Sequence, residues 1–189
     1  MKEVERVALA ARLNAFLKAT EKNYLDGIVD NLIHEAECKT AILSDEEARE
    51  PEFVFISYLK EIKCYNDHDG SWKLNVLTLT NLTGTAFALM EFDPAYNPIM
   101  KDPVCGYINS FIVSEEDRQK GIGALMIKTL EARAEGYGVH ILFVNWDMKP
   151  EPGTWADKWL TGMGYHQDEP NDPRPFHYYM MHKRLVDSY

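Results

Sequence analysis

The sequence predicts a mixed α/β fold in which a sheet lies between helices. Three observations carry that expectation. The first seventy or so residues set apolar side chains at helical spacing. From Trp72 the texture becomes alternating and β-branched. Beyond Cys105, strand-like and helix-like segments take turns.

Residues 4–17 place Val4, Val7, Ala8, Ala11, Leu13, Phe16 and Leu17 close to helical spacing, with charged residues between them. A second helix is expected over 21–37, with Tyr24, Leu25, Ile28, Val29, Leu32 and Ile33 as its apolar face and Thr20 as its cap. Residues 51–65 are apolar and fit either helix or strand. Residues 72–80 alternate, Asn81-Leu82-Thr83-Gly84 signals a turn, and 85–92 reads as the returning strand of a hairpin. Asp93-Pro94 and Asn97-Pro98 mark a loop. A strand over 105–113 follows, then a helix over 121–134 rich in Ala, Leu and Ile. Residues 139–146 suit a strand buried on both faces, 153–163 a short helix, and 176–182 a last aromatic strand. With no repeat and no low-complexity linker, 1–189 is expected to be one domain, with a helical part over 1–65 and a core over 72–185.

Composition narrows the function classes. Hydrophobic residues make up 46%, with 4 Trp, 10 Tyr and 8 Phe, so the chain can build a core and is not of the disordered class. Thirty acidic side chains against 20 Lys and Arg give a formal charge of −10. That field has no general attraction for nucleic acid and favours cationic partners. Cys38, Cys64 and Cys105 are odd in number and irregular in spacing, which points to reduced thiols and a cytoplasmic setting. The N-terminus lacks a signal-peptide apolar stretch, and no run is long enough for a membrane helix.

The chemistry sits in Ile112-Val113-Ser114-Glu115-Glu116-Asp117-Arg118-Gln119-Lys120-Gly121-Ile122-Gly123-Ala124-Leu125. A strand enters a charged turn, then Arg-x-x-Gly-x-Gly, then a helix. The first amides of a helix have no intrahelical acceptor and lie at the positive end of its dipole. Glycines at 121 and 123 let a phosphate approach the backbone, and Arg118 and Lys120 add positive charge. No P-loop motif is present, and the dinucleotide fingerprint would need a glycine where Met126 stands. That fingerprint also places its first glycine near the strand end, whereas seven residues separate Val113 from Gly121 here.

This stretch closely resembles the coenzyme A-binding motif of GNAT acetyltransferases, Val-x-x-x-x-Arg-x-x-Gly-x-Gly/Ala. Downstream, Ala156, Gly164 and Tyr165 keep the register of the family's Asn-x-x-Ala and Tyr-x-x-x-Gly-Phe pattern. Gly153 stands at the family's Asn position and Leu160 at its Tyr position, after a Pro-rich insertion over 148–152. The match covers 72–185, while the first strand common in the family is not obvious. The resemblance implies a GNAT-like fold: a mixed, mostly antiparallel twisted sheet flanked by helices, with splayed strands at the acetyl-CoA site.

The resemblance further implies direct acetyl transfer to an amine. Backbone groups of Phe111, Ile112 and Val113 would pair with the pantetheine arm, and an N–H near Val113 would act as oxyanion donor. Arg118, Gln119, Lys120, Gly121, Ile122, Gly123 and Ala124 would hold the pyrophosphate. Glu91 and Asp147 are the candidate bases. The position where some members carry an acidic base is Tyr107 here. With leucine at 160, the acid would be Tyr165 or solvent. The resemblance implies acetyl-CoA as co-substrate and an amine acceptor, for which the acidic charge suggests a cation; a homodimer is common in the family. The alternative is a non-catalytic module of the same fold that binds acyl-CoA or a protein partner.

The remaining features carry less. Histidines at 34, 68, 140, 166, 177 and 182 show no metal-ligand spacing, so no metal is expected. Phe176, His177, Tyr178 and Tyr179 read as sheet core, and Trp146 and Trp155 as core or pocket wall. Glu46, Glu47, Glu50 and Glu52 form a solvated face or a funnel for a cation. Acceptor choice would lie in the N-terminal helices and the loops 93–103 and 147–153.

Overall fold

The computed structural model describes residues 1–20, 25–66, 70–93, 104–144, 154–167 and 181–186. Its elements are α1 (Glu3–Ala19), α2 (Ile28–Ala41), α3 (Asp45–Arg49), β1 (Phe55–Asn66), β2 (Gly70–Asn81), β3 (Ala86–Phe92), β4 (Cys105–Val113), α4 (Ile122–Gly136), β5 (Ile141–Val144), α5 (Trp155–Gly162), β6 (His166–Gln167) and β7 (Met181–Arg184). The strands form one sheet in the order β1-β2-β3-β4-β5-β7-β6. β4 and β5 are parallel, whereas β7 runs antiparallel to both β5 and β6. The sheet is therefore mixed, as expected.

Two compact units divide the chain. One comprises Met1–Ile62, Asn75–Leu89 and Ser110–Leu130; the other comprises Lys63–Leu74, Met90–Asn109 and Glu131–Tyr189.

In the first unit, α1 buries Leu9 and Leu13, and Phe16 stacks on Phe87 of β3 with ring centres 5.6 Å apart. The structure departs from the expected apolar face: Val4 is 80% and Val7 57% exposed, and Ala8 and Ala11 are exposed as well. Small apolar residues occur around this helix, so spacing alone selects no single stripe; a neighbour for Leu9 and Leu13 does. Thr20 does not cap the second helix. It ends α1, its hydroxyl donating to Leu17 O at 2.7 Å. α2 starts at Ile28 behind an N-cap of Gly27 and extends to Ala41, burying Ile28, Leu32, Ile33 and Ala36. Residues 21–24, including Tyr24 of the expected face, lie outside the described residues.

A capping box opens α3, where Ser44 and Glu47 bond reciprocally. The Lys39 ammonium, donating to Glu47 at 2.8 Å, and the Ser44 amide and hydroxyl hold that carboxyl down at about 2. The ambiguous segment over 51–65 resolves into a 3-10 turn, Pro51–Phe53, and the strand β1. The hairpin formed as read. Its turn closes with Gly84 N–H donating to Asn81 O at 3.0 Å. Glycine is favoured at 84 on two counts: φ is +68°, which strains a side chain, and a Cβ would meet Leu9 Cδ1 at 2.8 Å and force that side chain to shift.

In the second unit, β5 is buried along its whole length, as a strand covered on both faces must be. One row of rings crosses four strands in register. Tyr107 of β4 stacks on Phe143 of β5 at 5.4 Å, Phe143 lies 5.6 Å from His182 of β7, and His182 lies 4.4 Å from His166 of β6. Directly opposed residues on one face of a sheet are the closest side-chain neighbours it has, which is why the pairing register builds this row. β6 is two residues long, too short for periodicity to mark it in the sequence. Of the last expected strand, 176–182, residues 181 and 182 fall in β7, which runs on to Arg184, and 176–180 lies outside the described residues. The helix read over 153–163 forms α5, opened by the Thr154 side chain accepting from Asp157 N.

Candidate phosphate-binding site

β4 delivers the chain to Val113, and Ser114 turns it. A 3-10 turn, Glu115–Asp117, follows, then extended backbone at Arg118. Gln119 is left-handed at φ 65°, the only non-glycine with positive φ among the described residues. Gly121 is left-handed at 86°, and α4 begins at Ile122. The first bond entering α4 is Leu125 N–H to Gly121 O at 3.0 Å, so the amides of Ile122, Gly123 and Ala124 precede the intrahelical ladder. All of this lies within the first unit.

The loop is anchored from beneath. Asp117 is buried, and its Oδ2 accepts the Thr85 hydroxyl while its Oδ1 accepts from Lys120 Nζ at 2.8 Å. Thr85 O accepts from Ser114 N–H at 2.7 Å. Asn81 in turn fixes Thr85: its Oδ1 accepts from Thr85 N–H at 2.9 Å, and its Nδ2 donates to Thr85 Oγ1 at 3.0 Å. Burial pushes the Asp117 carboxyl up. The hydrogen bonds from Lys120 and Thr85, with the charges of Lys120 and Arg12, outweigh it and hold the group below the ordinary carboxylate range. Asp117 conversely raises the Lys120 ammonium. The network was not legible in the sequence, because Thr85 and Asp117 are 32 residues apart.

The expected cradle residues thus come together. Arg118, Gln119, Lys120 and Gly121 are exposed, whereas Gly123 and Ala124 are half-buried. Arg118 turns back to donate from Nε to Val113 O at 3.3 Å, and Lys120 is held by Asp117. Phe111, Ile112 and Val113 form the half-buried end of β4. Among the described residues, the β4–β5 register ends at Ile108↔Val144, and β4 continues to Val113.

Two observations fit the loop to a phosphate-bearing ligand. The Gly121 Cβ position has nothing within 4 Å, so the backbone is open to close approach. The Ser114 hydroxyl, on the residue that leads from β4 into the loop, is buried and has no hydrogen-bond partner among the described residues.

The candidate acid–base residues stand differently. Glu91 is the one half-buried residue in the otherwise buried β3. Asp147 lies outside the described residues. Tyr165 is fully buried within the second unit, where burial and the neighbouring Glu131 carboxylate push its phenol far above the ordinary range. Lys183 lies over its ring and pairs with Glu131 at 2.7 Å. Leu160 is buried, and Trp155, 74% exposed, stacks on Trp159 at 6.0 Å.

Within the first unit, Glu46, Glu47 and Glu50 edge a cleft of about 360 Å³ shared with Lys39, Phe53, Phe55 and Leu125. Glu47 is spent on Lys39 and Ser44. Among the described residues, no three metal-ligating side chains gather, and no helix is long and apolar enough to cross a membrane.

No curated protein matches the chain by sequence. Among solved structures it is similar to the ribosomal-protein-S18-alanine N-acetyltransferase of Escherichia coli, with 12% identity, 71% of this chain and 97% of that one covered, and a TM-score of 0.43. It is similar to N-acetylglutamate synthase of Neisseria gonorrhoeae complexed with coenzyme A and N-acetyl-glutamate, with 16% identity, 60% and 26% covered, and a TM-score of 0.38. It is also similar to an acetyltransferase from Bacillus cereus, with 14% identity, 86% and 93% covered, and a TM-score of 0.32. The family model for the acetyltransferase (GNAT) family matches residues 33–174, three quarters of the chain and all of the loop described above, and the chain belongs to that family.

Proposed function

We propose that this protein transfers an acetyl group from acetyl-CoA directly to a primary amine. The observation that carries the reading is the turn from Val113 to Ala124, which presents three helix-start amides and an open Gly121 to an anion. In this reading the amides from Gln119 to Ala124 and the Arg118 guanidinium hold the pyrophosphate. The end of β4, Phe111 to Val113, aligns the pantetheine arm. The bound thioester supplies the activated acetyl group; the protein's own part is to bind, orient and stabilise the oxyanion through an N–H near Val113. Glu91 is the first base to test, since a half-buried carboxylate on a rigid strand can be both positioned and reached by solvent. The reading includes a cationic acceptor, matching the net charge of −10, a cytoplasmic setting, a homodimer and a single domain over 1–189.

A second reading has its own support. With Leu160 at the family's tyrosine position and Tyr165 buried, no exposed phenol stands at either place to protonate a leaving thiolate. The protein would then be a binding module for acyl-CoA or a protein partner.

Isothermal titration with acetyl-CoA, on the native chain and on Gly121→Glu and Gly123→Glu, tests the cradle. Micromolar binding lost in both folded variants supports it, and no binding to the native chain overturns it. Thiol release across an amine panel then separates the two readings: release supports transfer, and tight binding without release supports the module.

A further inference from the structure

We propose that Asp117 is a positioning residue for the diphosphate cradle, acting through Thr85. The inference rests on the acetyl-CoA reading and deepens it. A carboxylate beside an anion site is, by charge alone, unfavourable to binding. Yet Asp117 is buried at the base of the loop, between the Thr85 hydroxyl and the Lys120 ammonium 2.8 Å away. Thr85 also accepts the Ser114 amide on its carbonyl at 2.7 Å, so one residue of the β2–β3 turn grips the loop at two points. Thr85 is itself immobilised by Asn81 at 2.9 Å and 3.0 Å.

Immediately beyond these grips the backbone takes the left-handed conformations of Gln119 and Gly121, at 65° and 86°, before α4 begins. A non-glycine residue holds such a φ only where its surroundings impose it. The tether through Asp117 is what imposes it, and it thereby aims the amides of 119–124. The ion pair also neutralises the carboxylate and keeps the Lys120 ammonium at the loop.

The sign of the effect separates positioning from charge. If Asp117 contributed only its charge, Asp117→Asn would free Lys120 and tighten coenzyme A binding. Positioning predicts weakening by roughly tenfold or more, the scale of one lost charge-assisted hydrogen bond. Thr85→Val, which changes no charge, should weaken binding in the same direction. Thr85→Ser should restore it, and Thr85→Val with Asp117→Asn together should cost little more than either alone.

The experiment is isothermal titration of the full chain with coenzyme A, well below the melting temperature of each variant. The Thr85→Val and Thr85→Ser pair carries the test should Asp117→Asn fail to fold. Weakening in Thr85→Val with rescue by Thr85→Ser supports the proposal. Native-like or tighter binding in Asp117→Asn, or native-like binding in Thr85→Val, overturns it while leaving the transferase reading intact. No binding by the native chain overturns both.

Discussion

The hydroxyl of Thr85, in the turn between β2 and β3, donates to the buried carboxylate of Asp117 at the foot of the loop that leads into α4. The bond joins two segments of the first unit that the sequence places 32 residues apart. It also has a stability consequence apart from any ligand. Thr85→Val removes a donor from a buried carboxylate and an acceptor from Asn81, and should cost about 1–3 kcal/mol at pH 7. The Asp117 carboxyl is held below its ordinary range, so the stability it contributes is present above about pH 4 and is lost as pH falls through the folded value. Urea denaturation should therefore show the gap between native chain and variant open at pH 7 and narrowing below pH 4. A gap that is constant with pH would rule the assignment out.

Gln119 should gain from substitution by glycine. At φ 65° a side chain is strained, and removing it should raise stability by about 1 kcal/mol. Thermal unfolding of Gln119→Gly checks this. A β-branched residue such as valine at the same position should lower the melting temperature instead.

Tyr165→Phe tests whether the phenol takes part in transfer. Full burial and a strongly raised phenol predict that the variant keeps its turnover, within about twofold, once a substrate is in hand. A loss of a hundredfold would restore Tyr165 as the acid.

Glu91→Gln should lower turnover by about a hundredfold or more, with acetyl-CoA binding unchanged, if the carboxylate takes the amine proton. The acidic limb of the pH–rate profile should disappear with it. An unchanged profile would remove Glu91 and leave Asp147 and ordered water as the bases to examine.

The sequence by itself determined the strand from Cys105 to Val113, the hairpin before it, and the loop and helix after it. It could do so because each is a local matter. Alternation sets a strand, Asn81 to Gly84 sets a turn, and Gly-x-Gly at a helix start sets an anion cradle. The family followed from the same stretch. The buried stripe of α1, the limits of α2 and the strand β1 were decided elsewhere. Leu9 and Val7 are equally apolar, and only the packing of α1 buries one and leaves the other 57% exposed. The same holds for what steadies the cradle. Lys120 and Asp117 are plain in the sequence, but Thr85, the second partner of Asp117, comes from another strand connection. Burial and hydrogen-bond pairing are properties of the folded chain, and a buried polar group finds its partner by proximity in space rather than in sequence.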